Sequence, residues 1–198
     1  MLNFRDAHPK RSGKVPLYKS YKRYKPLLKK DFNDRCGYCN DEDSWAGGVR
    51  VYQIDHFVPR KHLKTIQESD YSNLVYSCSY CNRKKWDDWP SQDEKVHNDG
   101  KVGYIDPCSD DYSNHFRRNQ HGEIEHVTEL GSYMHKKLNL FLRRHAIIWN
   151  LHMLDSQIQE LGELKAKGLF NTKHEKEFSI LLADYHKYTN DLRKANNE

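Results

Sequence analysis

The sequence predicts an α+β protein, a small strand-containing centre flanked by helices. Three observations predict it. Cysteines recur as two identical pairs, Cys36-Gly37-Tyr38-Cys39 and Cys78-Ser79-Tyr80-Cys81. Between the pairs, Val49–Val58 and Leu74-Val75-Tyr76 are short runs rich in strand formers. Outside them, apolar residues return every three to four positions, the period of a helix. They do so at Tyr18, Tyr21, Leu28 and Phe32 on one side, and from Leu130 onward on the other.

A chain of 198 residues suffices for one domain, or for a small core with a helical appendage. Only 36% of residues are hydrophobic and the mean hydropathy is −1.03, yet 24 aromatics and the apolar periodicity argue against disorder. No apolar run approaches the roughly 20 residues of a membrane-spanning helix. Met1-Leu2-Asn3-Phe4-Arg5-Asp6 lacks a signal-peptide core, so a cytoplasmic protein with no membrane partner is expected. In that compartment, paired cysteines hold metal more often than they form disulfides. Cys108 stands alone and reads as a plain thiol. The net charge of +5 is unevenly spread: residues 1–36 carry eleven Lys and Arg against three Asp and Glu. A basic segment leading into a metal centre suits a polyanion, although a solvated lysine-rich tail has the same composition.

In chain order, residues 1–35 read as a basic arm and helix. Residues 1–15 form the loose part, and the helix starts near Pro16, with Pro26 as a point of kinking or division. Residues 36–127 form the central region. Cys36–Cys39 is a first turn, Val49–Val58 a strand or short hairpin ending at Pro59, and 60–72 an irregular basic loop. Leu74–Tyr76 is a second strand running into the second turn, and a helix from about Cys81-Asn82 carries Arg83, Lys84, Lys85 and Trp86. Residues 87–127, broken by Pro90, Gly100, Pro107 and Gly122, are expected to be loops and short hairpins. Residues 128–198 read as a helical hairpin. Its first helix runs from Thr128 to as far as Lys167, Gly168 is the stop, and Asn171 or Thr172 caps the last helix.

Four cysteines in two short-gapped pairs meet the tetrahedral requirement of a zinc ion. With Cys36, Cys39, Cys78 and Cys81 all spent as ligands, that zinc is structural and has no open position. Asp55 and His56 lie between the pairs, and Asn82 directly follows the last cysteine. A carboxylate and an amide oxygen are hard donors, suited to a catalytic Mg²⁺ or Mn²⁺. An imidazole titrating near neutrality can take a proton from water. Neighbours on a regular strand point to opposite faces, so Asp55 and His56 can share a site only where the strand ends or bulges. Arg60, Lys61 and Lys64 beside them, and Arg83 and Lys84 after Asn82, are candidate nucleic-acid contacts. Trp86 and Trp89 read as core residues, and the scattered histidines from His115 to His152 as surface or packing residues. A non-catalytic zinc module that binds nucleic acid would need the cysteines alone.

In combination, Cys-x-x-Cys, Asp-His-x-x-Pro, Asn-Leu and Cys-x-x-Cys-Asn-x-x-Lys over Cys36–Lys85 resemble the HNH endonucleases. The resemblance implies a ββα-metal core braced by the four-cysteine zinc and a phosphodiester hydrolase acting on DNA, with RNA left open. It implies His56 as the general base, Asp55 and Asn82 as ligands of one catalytic divalent ion, and Asn73 holding the loop that orients His56. Lys85 would meet a backbone phosphate, and the products would carry 5′-phosphate and 3′-hydroxyl ends. The family's final His is Asn82 here, a departure that bears on metal preference. The wider order of basic helix, Asp-His-Phe-x-Pro-Arg, Asp-Pro and long C-terminal helix is similar to nucleases of bacterial antiphage operons. These include the nuclease subunit of Septu systems and HNH proteins beside retrons, which work with an ABC-type ATPase.

Overall fold

The computed structural model describes residues 2–195. Among these described residues the short strands are β1 (Leu2–Asn3), β2 (Gln53–His56), β3 (Leu74–Ser77), β4 (Phe116–Arg118) and β5 (Ile124–His126). The α-helices among them are α1 (Lys25–Asp31), α2 (Ser79–Lys85), α3 (Glu129–Lys137), α4 (Arg143–Ala166) and α5 (Thr172–Ala195). The chain divides into two compact units. One takes residues up to Gln120 together with Ile124–Phe141, and the other His121–Glu123 with the chain from Leu142 onward.

In the first unit, β2 and β3 form an antiparallel hairpin with Gln53 opposite Ser77 and His56 opposite Leu74. α2 follows directly, giving the ββα order around both cysteine turns. β4 is the centre of a second, three-stranded antiparallel sheet between β1 and β5. β4 and β5 are the hairpin expected within residues 87–127. Tyrosine is the most frequent residue of this unit's core, its ring burying apolar area while the hydroxyl finds a partner. Tyr52 donates to the Asp41 carbonyl at 2.8 Å, Tyr76 to Asp43 at 2.6 Å, Tyr104 to Asp88 at 2.8 Å and Tyr112 to the Tyr38 carbonyl at 2.9 Å. All four rings are fully buried.

The first cysteine turn is shaped by space more than by backbone freedom at its glycine. A Cβ on Gly37 would meet Phe32 at 2.7 Å and Val75 at 2.8 Å, while the left-handed residue of the turn is Asn40, with φ of 64°. Arg118 of β4 ties the turn to the second sheet, donating to the carbonyls of Cys39 and Phe4, each at 3.3 Å.

Two helix expectations are corrected. The N-terminal helix does not begin near Pro16. A 3-10 turn at Tyr21–Tyr24 leads into α1, which places Pro26 in the first turn, where a missing N–H costs nothing. The helix expected from Thr128 to Lys167 is two helices. α3 ends at Lys137 and the chain turns through Asn139 at φ 55°, which seats Leu138 and Leu140 in the core. Asn tolerates that left-handed conformation better than most side chains.

In the second unit α4 and α5 pack against each other and are tied by Arg143 to Asp191 at 3.1 Å. Gly168, at φ 71°, follows the end of α4. The Asn171 side chain accepts from the backbone N–H groups of Lys173 and His174, capping α5. No helix among the described residues is long and apolar enough to cross a membrane.

Candidate active site and metal centre

The four cysteine sulfurs of Cys36, Cys39, Cys78 and Cys81 all lie within 4.8 Å of one another, are buried, and form no disulfide. A tetrahedral zinc with bonds of about 2.3 Å would hold its sulfurs roughly 3.8 Å apart. Cys39 and Cys78 sulfurs are 3.7 Å apart. Burial pushes the thiols of Cys39 and Cys81 well up, whereas hydrogen bonds from the neighbouring cysteines hold Cys36 well down. Cys78 caps α2, its sulfur accepting from Cys81 N–H, so the second turn and the helix start are one structure. α2 therefore begins at Ser79, two residues before the position expected from the sequence. Cys108 stands apart from the four, its thiol pushed up to about 11 by burial.

Asp55, His56 and Asn82 line one open cleft of about 630 Å³, together with Tyr21, Arg60, Lys61, Glu68, Trp86 and Asp87. β2 ends at His56, which relaxes the strand alternation that would separate the two neighbours. The Asn82 side-chain nitrogen donates to Gln53, leaving the amide oxygen as its remaining donor atom for a cation. A carboxylate and an amide oxygen in one cleft fit a hard divalent ion.

His56 Nε2 lies 2.9 Å from the Glu68 carbonyl oxygen. That oxygen can only accept, so Nε2 carries the proton and Nδ1 keeps the lone pair. Burial lowers the His56 pKa, with the Glu68 hydrogen bond opposing, so the ring is neutral at physiological pH. The Tyr21 ring meets it edge-on, centroids 4.7 Å apart.

The Asp55 carboxylate is held from behind. Tyr38, from within the first cysteine turn, donates its hydroxyl to Asp55 Oδ2 at 2.5 Å, and Lys85 Nζ pairs with the same oxygen at 3.0 Å. Burial raises the Tyr38 pKa well above its ordinary value, so the phenol stays a donor. Lys85 also donates to the His56 carbonyl at 2.9 Å. Its side chain is 0% exposed, which corrects the expected phosphate contact. The ammonium is spent inside the protein because Lys85 sits one turn beyond Cys81 on the buried face of α2.

Asn73 takes both hydrogen bonds of the Val58 backbone, accepting at 2.8 Å and donating at 3.0 Å, and its own carbonyl accepts from Phe57 N–H. With its amide oxygen and nitrogen both engaged on Val58, Asn73 positions the turn after His56. Arg60 and Lys61 reach the cleft. Lys64, Arg83 and Lys84 are exposed but do not line it. Trp89 is core, stacked on Tyr104 at 5.9 Å, whereas Trp86 is 73% exposed on the cleft wall, against the expectation of burial.

Three contributors escaped sequence reasoning: Tyr21, Tyr38 and Glu94. Buried Glu94 accepts from the backbone N–H groups of Lys64 at 2.6 Å and Thr65 at 3.0 Å, and from the Thr65 hydroxyl. These bonds hold its carboxyl down at about 2 and pin the loop that carries Glu68. Tyr38 had a signal, its place between two metal ligands. Glu94 had none.

Residues 36–88 match the family model for HNH endonucleases. The match spans both cysteine pairs, the β2–β3 hairpin and α2, the stretch that builds the cleft. A curated relative, the Septu protein PtuB of Bacillus mycoides (strain KBAB4), is 33% identical over 121 residues, covering 51% of this chain and 40% of the relative. The chain thus spans two fifths of the length of that Septu protein. No solved structure matches the chain.

Proposed function

We propose that this protein is a metal-dependent endonuclease of the HNH type, cutting DNA in a Septu-like antiphage system beside an ATPase partner. The observation that carries the reading is the convergence of Asp55, His56 and Asn82 on one cleft inside the matched region. The Septu relative supports the defence setting, and the ATPase follows from the kind of operon that the sequence resembles.

In the mechanism, His56 takes a proton from water. Its Nε2–H is fixed on the Glu68 carbonyl, so Nδ1 is the basic atom. Arg60 and Lys61 exchange their carboxylate partners for phosphate oxygens and seat the backbone. A divalent ion held by Asp55 and Asn82 would supply stabilisation of the charge developing on the phosphate and the leaving 3′ oxygen. Tyr38 and Lys85 fix the Asp55 carboxylate, and Asn73 fixes the turn following His56. Zinc in the four-cysteine site would hold both turns together and take no part in the reaction.

Supercoiled plasmid incubated with the protein in Mg²⁺, Mn²⁺ or EDTA tests this directly. Nicking in the metals alone, leaving 5′-phosphate ends, and its loss in His56→Ala are expected. Equal nicking by folded His56→Ala would remove the role given to His56. DNA binding without cleavage in any metal would favour the non-catalytic zinc module.

A further inference from the structure

Each of the three carboxylates lining the cleft already has a cation of its own. Asp55 faces Lys85 at 3.0 Å, Glu68 faces Arg60 at 2.8 Å, and Asp87 faces Lys61 at 2.6 Å. The pairs differ in depth. Lys85 and Asp55 side chains are 0% and 7% exposed, while the other four range from 45% to 61%. A divalent cation gives up its water reluctantly and is retained chiefly by uncompensated carboxylate charge together with substrate phosphate. A cleft whose anions are matched one for one offers it little of the first.

Resting on the nuclease reading, we propose that Lys85, Arg60 and Lys61 keep the cleft charge-neutral, so that the free protein holds a divalent cation poorly and acquires one together with the phosphodiester. The exposed pairs are the movable part. A solvent-exposed ion pair is worth less than about 1 kcal/mol, so Arg60 and Lys61 leave Glu68 and Asp87 at little cost when a phosphate arrives. That uncovers two carboxylates beside the incoming phosphate charge, and the cleft turns negative only then. The buried Lys85–Asp55 pair stays closed and keeps Asp55 aimed. Cation and DNA binding are therefore coupled, and the coupling is reciprocal. Bound without substrate, a metal-loaded nuclease is a hazard to its own host. This arrangement leaves the cleft without its ion until DNA is present.

The test reads binding, not cleavage. Free Mn²⁺ is followed by its electron paramagnetic resonance signal during titration of zinc-loaded His56→Ala protein, alone and with a short DNA duplex, after subtraction of Mn²⁺ taken up by the duplex. The duplex is expected to tighten Mn²⁺ binding about tenfold or more, and Mn²⁺ to tighten duplex binding by the same factor. Arg60→Met with Lys61→Met, both at exposed positions, is expected to bind Mn²⁺ more tightly without DNA and to lose part of the coupling. Tight Mn²⁺ binding by the free protein, unchanged by duplex and by the paired substitution, would overturn the proposal. Plasmid cleavage by the wild type alongside that result would sink the charge-matching idea while leaving the nuclease reading in place.

Discussion

In the proposed mechanism His56 is the general base, and its environment makes a directional statement about pH. Burial moves its pKa below the ordinary 6.5, and the neutral form is the base. The plasmid cleavage rate is therefore expected to stay flat from pH 8 down past 6.5 and to fall about tenfold per unit only below the lowered pKa. A midpoint above 6.5 would contradict the burial reading. The same shift has a stability consequence of definite sign. Below pH 6.5 the unfolded chain takes up the proton that the folded ring resists, so this group costs stability as the pH falls.

Lys85 shows where residue-level reading from sequence stops. Its charge near the end of a motif helix invites a phosphate contact, yet its four-residue spacing from Cys81 places it on the buried face, paired with Asp55. The spacing was visible in the chain, but the pairing was not, because Asp55 and Tyr38 come from other elements. Gly37 is a similar case. Its neighbours Phe32 and Val75 would crowd any Cβ, so Gly37→Ala is expected to destabilise the protein by about 1–3 kcal/mol, read as a lowered thermal midpoint. An unchanged midpoint would show that this packing yields freely.

At the scale of elements, the β2–β3 hairpin, α2 and the two cysteine turns were legible in advance, although β2 is only Gln53–His56 where Val49–Val58 was expected, because Gly48–Arg50 forms a 3-10 turn. Their chemistry is local: strand formers run between paired ligands, and the ligands themselves set the turns. Loop 60–72 was legible only as irregular, and what holds it was not. Glu94, in the stretch whose loops gave no pattern, grips Lys64 and Thr65 and so steadies Glu68 against His56. Glu94→Gln removes the ionised acceptor. It is expected to lower the cleavage rate and to move the acid limb of the pH profile up toward 6.5, because a loosened loop lets water reach the imidazole. A slower enzyme with an unmoved limb would make Glu94 merely structural. The break between α3 and α4 escaped prediction for a different reason. The apolar stripe continues through Leu138, Phe141 and Leu142, and no Gly or Pro interrupts it there. Only Asn139 marks the turn.

For the molecule as a whole, the basic N-terminal balance is partly spent internally. Arg11 is bidentate on Asp106 at 2.7 and 3.0 Å, Lys29 engages Asp43 and Asp34, and Arg35 pairs with Glu42 at 3.1 Å. Lys10, Lys14, Lys19, Lys22 and Lys30 remain exposed for a polyanion. The four cysteines sit inside the apolar core of the first unit. Stripping zinc with a strong nitrogen chelator is expected to unfold this unit, since metal binding of about 10–16 kcal/mol in such sites is folding free energy. Circular dichroism would register the loss, and an unchanged spectrum after verified zinc removal would contradict it.

The central claim is that an imidazole, a carboxylate and an amide act on one phosphodiester. Single-turnover cleavage by His56→Ala, Asn82→Ala and the double variant tests it most directly. Groups serving one reacting centre are strongly non-additive, so the double variant is expected to be little slower than the worse single one. Losses that simply multiply would mean that the two side chains act in separate places, and the account would fail.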